Sequence, residues 1–378
     1  MRRLLSALDE PQKSLKFIHV AGTNGKGSVC AMLDSLARSA GIRSGLFTSP
    51  HLVRFNERIQ VDGNPIRDDF VLSGIHRIRN RISEDGHPTF FEITTALALD
   101  HFRACEVGLV VLETGLGGRL DATNVVAPLV SVLTSIDLDH QRWLGNTLAE
   151  IAREKAGIIK PGVPVVSVPQ LAEVRSVIER MALERSAPLK YVDHLDTELF
   201  VGLPGAHQRI NAAAACESLL QAGYQLTDQE RRDGLANVFW PGRFQRVGRQ
   251  MVLDGAHNPA ASQRLVETWQ EYFGPERTAV IFGGLQDKDL RTMICRLSKI
   301  ASRFYLVPVR NPRAATTGEL QSLVPANVPS SIFTSVAEAL RFAQRSDRRI
   351  LVTGSLFLVG EALALLQPAR GNLQLSNQ

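Results

Sequence analysis

Three glycines, a lysine and a serine stand close together in the stretch GTNGKGS, which runs from Gly22 to Ser28. The apolar, strand-like run KFIHVAG precedes it, and apolar residues at helical spacing follow it. Glycines let consecutive backbone N–H groups face one anion, and a helix N-terminus adds its positive dipole end. Lys26 can reach the outer phosphates of a nucleotide, and the Ser28 hydroxyl can ligate Mg²⁺. The stretch therefore predicts a phosphate-binding loop. Gly27 separates the lysine from the serine, unlike the common G-x-x-x-x-G-K-[ST] spacing, so a tight turn with an exposed lysine is the plainer alternative.

Acidic residues and a histidine follow two other strand-like runs. Glu113 ends LVVLE, while Asp137, Asp139 and His140 follow VSVLTSI. Because the carboxyl ends of parallel strands share one edge of a sheet, we expect Glu113, Ser28 and His140 to converge near the phosphates. Oxygen ligands suit Mg²⁺. Histidine is an unusual ligand for this ion, so the residues alone leave a structural role for His140 equally open.

These residues need an α/β scaffold, and the sequence predicts one. Apolar strands alternate with amphipathic helices nearly throughout, which is typical of a mostly parallel sheet. FFEITTALALDHF predicts a helix, and TLAEIAREKAGIIKPG predicts a helix that ends at Lys160. The alternation of strands and helices starts again after a break at Pro241 and Gly242. We therefore expect two domains, 1–240 with the phosphate loop and 241–378 as a smaller Rossmann-like unit.

Composition is ordinary for a two-domain globular protein of 378 residues. The formal net charge of +5 and the pI of about 9.2 suit an anionic small substrate as well as a nucleic acid, and so decide little. The four cysteines form no C-x-x-C pair, which argues against a zinc site or a disulfide framework and predicts a cytoplasmic location. No signal peptide and no apolar run of about 18 residues is evident.

Several further polar residues allow two interpretations each. Asp254 and His257 in DGAHNP follow an apolar run, without the serine or cysteine elbow of a nucleophilic triad, so a turn with no catalytic role is one interpretation. Asn211 in RINAAAA suits a helix cap. Lys155 in AREKAGI would ordinarily be a surface lysine, paired with a nearby glutamate. The glycines of TGLGGRLDATN either bring the backbone close to a ligand or serve a loop in which Arg119 and Asp121 pair internally.

An ordered set of motifs resembles the folylpolyglutamate synthase and dihydrofolate synthase family of the Mur ligase superfamily. The motifs extend over nearly the whole chain, as GTNGKGS, TSPHLVRFNERI, ETGLGGRLDATN, TSIDLDHQRWLG, REKAGIIKPG, HQRINAAAA, WPGR, DGAHNP and DKD. The resemblance implies a central Mur-ligase-type nucleotide domain followed by a C-terminal ligase domain. Family members usually carry a few dozen residues before the segment matching MRRLLSALDEPQ, so we expect either a late start codon or a shortened protein.

The resemblance also assigns roles to single residues. It implies catalytic roles for Lys26, Lys155, His140, Asp254 and His257. It implies nucleotide contacts, with ATP as cosubstrate, from Gly22, Thr23, Asn24, Gly25, Lys26, Gly27, Ser28, Asn211, Arg243 and Asp254. It implies two Mg²⁺ sites that involve Ser28, Ser49, Glu113, His140 and Lys155, with Lys155 carbamylated by CO₂. A hydroxyl that shapes the turn before Pro50 is a compatible role for Ser49.

The implied reaction is the ATP-dependent addition of L-glutamate to dihydropteroate or folates through an acyl phosphate, in a monomer that closes its two domains around the nucleotide. We expect both activities, with TSPHLVRFNERI and FFEITT on the pterin side and neither nucleic acid nor membrane as partner. Two alternatives stay open here: a non-catalytic nucleotide-binding relative with a regulatory role, and a Mur-type ligase for a peptidoglycan precursor.

Overall fold

The protein forms two compact α/β units. The computed structural model describes residues 1–81, 88–193 and 196–366. The first unit takes in residues 1–50, 56–202 and 208–239. The second takes in residues from Trp240 onward together with two short segments, His51–Phe55 and Leu203–His207, which a division at residue 240 leaves with the first unit. The predicted α/β class with a mostly parallel sheet is confirmed. In the described residues no helix is long and apolar enough to cross a bilayer.

The sheet of the first unit is built around the strand that leads into the phosphate loop. Its strands are β1 (Phe17–Ala21), β2 (Ser44–Phe47), β3 (Ile59–Val61), β4 (Asn64–Pro65), β5 (Leu109–Glu113), β6 (Val130–Leu133), β7 (Val165–Ser167) and β8 (Leu189–Tyr191). Their order is β4-β3-β2-β5-β1-β6-β7-β8; the pairs from β2 to β8 are parallel, and β3 is antiparallel to both of its neighbours, β2 and β4. Strands β5 and β6 flank β1, and Val20 lies opposite Glu113. Continuous apolar runs form these strands because helices cover both faces.

Nine α-helices lie in the described residues of the first unit, and some of them begin at side-chain caps. They are α1 (Arg2–Ala7), α2 (Lys26–Ser39), α3 (Asp68–Arg81), α4 (Phe90–Ala104), α5 (Gln141–Leu144), α6 (Leu148–Ala156), α7 (Ala172–Glu184), α8 (Ala206–Gln221, whose first two residues group with the second unit) and α9 (Asp228–Ala236). Reciprocal capping boxes start α4 at Thr89 and α6 at Thr147. Helix α6 ends at Ala156, so the predicted end at Lys160 is wrong. The Glu154 carbonyl, which residue 158 would bond if the helix continued, accepts the Arg119 N–H instead, and Ile158 and Ile159 pack in the core beside β7.

The second unit is a smaller sheet with helices on both faces. Its strands are β9 (Gln245–Val247), β10 (Met251–Leu253), β11 (Thr278–Phe282), β12 (Ala301–Leu306), β13 (Ser330–Ile332) and β14 (Ile350–Thr353). Its helices are α10 (Pro259–Phe273), α11 (Leu290–Leu297), α12 (Thr317–Leu323), α13 (Val336–Ser346) and α14 (Leu356–Leu366). The strand order is β13-β12-β11-β14-β10-β9, and β9 is antiparallel to β10. Two apolar clusters fill the space on either side of this sheet.

Candidate functional site

The phosphate loop after β1 is tied to the segment that follows β6. The main-chain N–H groups of Thr23 and Asn24 donate to the Ser135 carbonyl at 2.8 and 3.1 Å. The Thr23 hydroxyl donates to the Asp137 carbonyl at 3.0 Å. Because these bonds join the carboxyl ends of adjacent parallel strands, the loop is held at the edge where α/β proteins bind ligands.

Two glycines of the loop stand where no other residue fits. A Cβ at position 22 would lie 1.8 Å from the Thr134 hydroxyl oxygen. Gly25 has a φ of 91° in the left-handed region, and a Cβ there would lie 2.9 Å from the Asn211 amide oxygen. Helix α2 starts at the next residue without a side-chain cap. The amides of its first turn lack intrahelical acceptors, which suits them to bind an anion.

Lys26 opens α2 and folds back over the loop. Its ammonium donates to the carbonyls of Gly22 at 3.0 Å and Thr23 at 3.3 Å. A cation therefore already lies beside the uncapped helix start, as the sequence predicts for a phosphate-binding lysine. The plainer alternative, a turn with a fully solvated lysine, is wrong because Lys26 is only partly exposed and is bonded to the loop.

Helix α8 reaches the same loop through an amide that the sequence did not single out. Asn211 donates to the Gln208 side-chain oxygen at 2.9 Å, and the Gln208 amide donates to the Ser28 hydroxyl at 3.3 Å. All three side chains are buried. Asn211 lies inside α8, so the interpretation of Asn211 as a helix cap is wrong. The sequence does not predict this contact because it joins residues 180 positions apart, although Gln208 lies within the motif HQRINAAAA.

Glu113 and Ser49 meet beside the phosphate-loop strand. Glu113 is 3% exposed at the end of β5, and its carboxylate accepts the Ser49 main-chain N–H at 3.0 Å. The Ser49 hydroxyl oxygen is buried and has no hydrogen-bond partner within the described residues. An orphaned hydroxyl beside a buried carboxylate fits the oxygen donors that Mg²⁺ prefers. The described chain holds no cluster of three or more His, Cys, Asp or Glu suited to a metal, so any ion here draws on hydroxyls as well.

Lys155 is buried rather than solvated, so its interpretation as a surface lysine is wrong. Its side chain on α6 is 4% exposed, and Nζ donates to the Gly22 carbonyl at 2.9 Å. The amphipathic helix turns this lysine inward because Ile151, Ala152 and Ala156 pack on the same side. The structure therefore brings Lys155 to the phosphate loop, as expected for a site residue.

The glycine-rich loop after β5 packs against α6. A Cβ on Gly118 would lie 2.7 Å from the Lys155 carbonyl. The Arg119 N–H donates to the Glu154 carbonyl at 2.8 Å, and its guanidinium pairs with the Glu154 carboxylate at 2.9 Å. Asp121 accepts the amides of Gly115 and Leu116. Asp121 therefore bonds within the loop, as one of the two interpretations predicts, whereas for Arg119 that interpretation is wrong because its guanidinium pairs with Glu154 on α6.

His140 lies in the loop after β6. Its backbone is left-handed with a φ of 50°, and its N–H donates to the Asp139 carboxylate at 2.8 Å. Its ring Nε2 lies 4.0 Å from that carboxylate, and the side chain is 38% exposed. The same loop carries Asp137, which is bonded to Thr23, so His140 stands three residues from the anchor of the phosphate loop.

A buried arginine and an aromatic ring lie near Glu113. Arg58 is fully buried, and its guanidinium lies 5.4 Å from the centroid of the half-exposed Phe90 ring. Burial lowers the pKa of Arg58 to about 10, while the charges of Glu113 and Glu57 oppose that shift. Arg58 therefore stays cationic at neutral pH. Both residues belong to the predicted pterin-side motifs, although neither was singled out.

The predicted residues of the second unit lie in the turn after β10 and in the segment before β9. Asp254 accepts the N–H groups of Phe244 and Ala256 at 2.8 and 2.9 Å, and burial raises the pKa of this carboxyl. The ring Nδ1 of His257 lies 2.8 Å from the Gly255 carbonyl. Arg243 donates to the Gly242 carbonyl at 3.3 Å. Asp254 thus shapes its own loop, and the nucleotide contacts of Arg243, Asp254 and His257 stay predictions.

Comparison with known proteins gives matches over nearly the whole chain. Residues 242–356 match the family model described as Mur ligase, glutamate ligase domain. The dihydrofolate synthase/folylpolyglutamate synthase of Bacillus subtilis is 36% identical over 96% of this chain and 93% of its own. The Escherichia coli FolC structure in complex with DHPP and ADP has a TM-score of 0.88 at 33% identity, covering 98% and 93% of the two chains. The bifunctional enzyme of Yersinia pestis, complexed with AMPPNP and Mn ion, has a TM-score of 0.88 at 34% identity, covering 97% and 92%.

Proposed function

The chain belongs to the folylpolyglutamate synthase and dihydrofolate synthase family, and from this premise we propose that it is an ATP-dependent amide ligase that adds L-glutamate to dihydropteroate and to reduced folates. ATP phosphorylates a carboxylate of the pterin substrate, and the amine of glutamate attacks the resulting acyl phosphate. An amide, ADP and phosphate are formed. A free carboxylate resists attack by an amine, so phosphorylation supplies the leaving group that the reaction needs.

The observation that carries this proposal is the uncapped start of α2, with Lys26 and buried Lys155 both bonded to the Gly22 carbonyl. The first-turn amides bind phosphate oxygens, and Lys26 turns from the loop carbonyls toward the outer phosphates. Gln208 orients the Ser28 hydroxyl from behind. These groups fix the nucleotide in place before the substrates meet, which lowers the entropic part of the barrier.

Two magnesium ions complete this proposal. Ser28, Ser49 and Glu113 would hold the first, because the Ser49 hydroxyl is orphaned beside the Glu113 carboxylate. His140 and carbamylated Lys155 would hold the second. When bound, the ions neutralise the charge of phosphates and carboxylate that are brought together. Carbamylation suits the position of Lys155, since a carbamate keeps one N–H that can still donate to the Gly22 carbonyl.

The pterin substrate is proposed to bind beside Phe90 and Arg58. The half-exposed aromatic ring offers a stacking surface, and the buried guanidinium, 5.4 Å from the ring centroid, supplies a positive field that favours an anionic substrate without touching it. From the second unit, we propose that Arg243 contacts the phosphates while Asp254 and His257 approach the nucleotide. A monomer in the cytoplasm, with no nucleic acid or membrane partner, is what the sequence predicts.

Phosphate release tests the function. Purified protein is assayed with ATP, Mg²⁺ and L-glutamate, offering dihydropteroate, tetrahydrofolate or a muramyl precursor in parallel. We expect release that requires glutamate together with either pterin substrate. Lys26→Met should lower kcat by about 100- to 1,000-fold, while Lys16→Met, at an exposed position before β1, should not. Release with the muramyl precursor alone, or binding of ATP without turnover of any substrate, would refute the proposal.

A further inference from the structure

A buried histidine in the central strand of the first sheet has no part in the site described above. His19 lies in β1, three residues before the phosphate loop, and is fully buried. Its ring Nε2 lies 2.8 Å from the Thr123 hydroxyl oxygen, which in turn lies 2.6 Å from the Asp121 carboxylate. These three side chains form a continuous line of hydrogen bonds from β1 to the glycine-rich loop.

The chemistry of this line fixes the position of its protons. The Asp121 carboxylate accepts three main-chain N–H groups, from Thr123 on one oxygen and from Gly115 and Leu116 on the other. It is therefore an acceptor, and the Thr123 hydroxyl donates to it. The Thr123 oxygen must then accept from His19, whose proton lies on Nε2. Burial and the charge of Lys160 lower the pKa of His19 to about 3, so the ring is neutral at physiological pH.

The line of bonds ends on the loop that follows Glu113 and packs against α6. Gly115 and Leu116, which Asp121 holds, come two and three residues after Glu113. The same loop also bonds the α6 backbone, because the Arg119 N–H donates to the carbonyl of Glu154, the residue before Lys155. Gly118 packs on the Lys155 carbonyl. His19 is therefore connected through contiguous bonded groups to the loop beside Glu113 and to the α6 backbone beside Lys155.

We propose that His19 and Thr123 are positioning residues, which act through Asp121 to hold Glu113 and Lys155 in the places that the ligase reaction requires. The catalytic consequence rests on the function proposed above, whereas the direction of the hydrogen bonds does not. The other ring nitrogen, Nδ1, is buried with no hydrogen-bond partner within the described residues, as suits an unprotonated nitrogen. Buried networks of this kind favour a single local geometry, and loss of one donor leaves the remaining groups misdirected.

The first test reads the histidine itself. Protein labelled with ¹⁵N-histidine gives long-range ¹H–¹⁵N spectra, in which the His19 signals are those that disappear in His19→Gln. We expect a protonated Nε2 and an unprotonated Nδ1 at every pH between about 5 and 8. A proton on Nδ1, or titration of the ring within this interval, would overturn the proposed direction of these hydrogen bonds, whether or not the protein is a ligase.

The second test measures ion binding as well as turnover. Mn²⁺ affinity in the presence of ADP is measured by electron paramagnetic resonance, and kcat by phosphate release. His19→Phe and Thr123→Val should each weaken Mn²⁺ binding and lower kcat by about 10- to 100-fold, and the double variant should be no worse than the poorer single one. His19→Gln and Thr123→Ser, which keep a donor and a hydroxyl, should recover most of the loss.

Thr278→Val is the matched control, since Thr278 is an equally buried threonine at the start of β11 in the other unit. Circular dichroism and thermal melting identify variants that do not fold. If His19→Phe or Thr123→Val fails to fold, the conservative variants His19→Gln and Thr123→Ser still test the positioning role. Equal losses in Thr123→Val and Thr278→Val, or no recovery in Thr123→Ser, would overturn the positioning role. A wild-type protein without glutamate-dependent turnover would refute the ligase function. The spectra would still test the direction of the hydrogen bonds from His19 to Asp121.

Discussion

The side-chain nitrogen of Lys155 donates a 2.9 Å hydrogen bond to the main-chain oxygen of Gly22, 133 positions away in the sequence. The bond joins α6 directly to the first residue of the phosphate loop. Lys155 therefore holds the loop, and it is also the lysine proposed above to react with CO₂, a reaction that requires its neutral form.

Removal of CO₂ should therefore slow the enzyme. We expect kcat to fall at least about tenfold in CO₂-depleted buffer and to recover with bicarbonate, because Lys155 would lose a negative group directed at the second ion. Carbon-13 NMR with labelled bicarbonate should show one carbamate signal that is absent from Lys155→Met. Lys299→Met, at an exposed site in the second unit, should keep the signal. A wild-type protein that is fully active without CO₂ would contradict the modification.

Gln208 should control nucleotide affinity from behind the phosphate loop. In Gln208→Leu the Ser28 hydroxyl loses its donor and Asn211 its acceptor, so we expect ADP to bind about tenfold more weakly by calorimetry. Gln208→Glu should be similarly weak, since a carboxylate cannot donate to Ser28. Gln221→Leu, at the exposed end of the same helix, serves as the control. Unchanged ADP affinity in both Gln208 variants would show that the bond to Ser28 does not matter.

Gly118 should tolerate no side chain. An added methyl group would lie 2.7 and 2.9 Å from the carbonyls of Lys155 and Glu154, and main-chain atoms cannot move aside cheaply. We expect Gly118→Ala to lower the free energy of unfolding by about 1–3 kcal/mol in urea titrations and to reduce turnover. Gly318→Ala, inside α12 with open space around it, should be neutral or stabilising by up to about 1 kcal/mol. Equal stability of the two variants would contradict the packing described here.

His207 should make the second unit sensitive to acid. Burial and the charges of Arg264 and Arg243 lower its pKa from 6.5 to about 4, with Glu267 acting in the opposite direction. Between these two values the unfolded chain binds more protons than the folded chain, so stability rises with pH. The contribution of His207 to the free energy of unfolding is complete above about pH 6.5 and is lost toward pH 4. It amounts to about 3 kcal/mol in total.

The measurement compares wild type with His207→Gln in urea at pH 8, 6 and 5, following the buried Trp269 of the second unit by fluorescence. The difference at pH 8 gives the pH-independent cost of the substitution. We expect the pH slope of the unfolding free energy to be smaller in the variant. Parallel slopes would mean that His207 titrates alike in both states.

The parts of the site that follow strands could be predicted from the sequence. The phosphate loop and Glu113 were placed correctly because buried parallel strands are continuous apolar runs whose carboxyl ends share an edge. The order of the motifs supplied the family. These signals are local, or depend on one general property of parallel sheets.

Residues whose roles depend on contacts between distant elements were not predictable in this way. The sequence predicts that a lysine on a short amphipathic helix is solvated. Only the packing of the folded chain shows that Lys155 is buried against the phosphate loop. Gln208 and His19 carry no local signal, because their partners Ser28 and Thr123 lie 180 and 104 positions away. The end of α6 is not predictable either, because the Glu154 carbonyl accepts the Arg119 N–H from a loop that is distant in the sequence.

The position of β1 between β5 and β6 has a consequence for the protein as it is being made. Its two hydrogen-bonding neighbours emerge from the ribosome some ninety and more residues after it, and Gln208 follows later still. The nascent chain therefore carries its phosphate loop without both flanking strands until β6 ends at Leu133, and without the Gln208 amide until helix α8 follows. ATP in the cell can meet the complete phosphate loop only after that helix has left the ribosome.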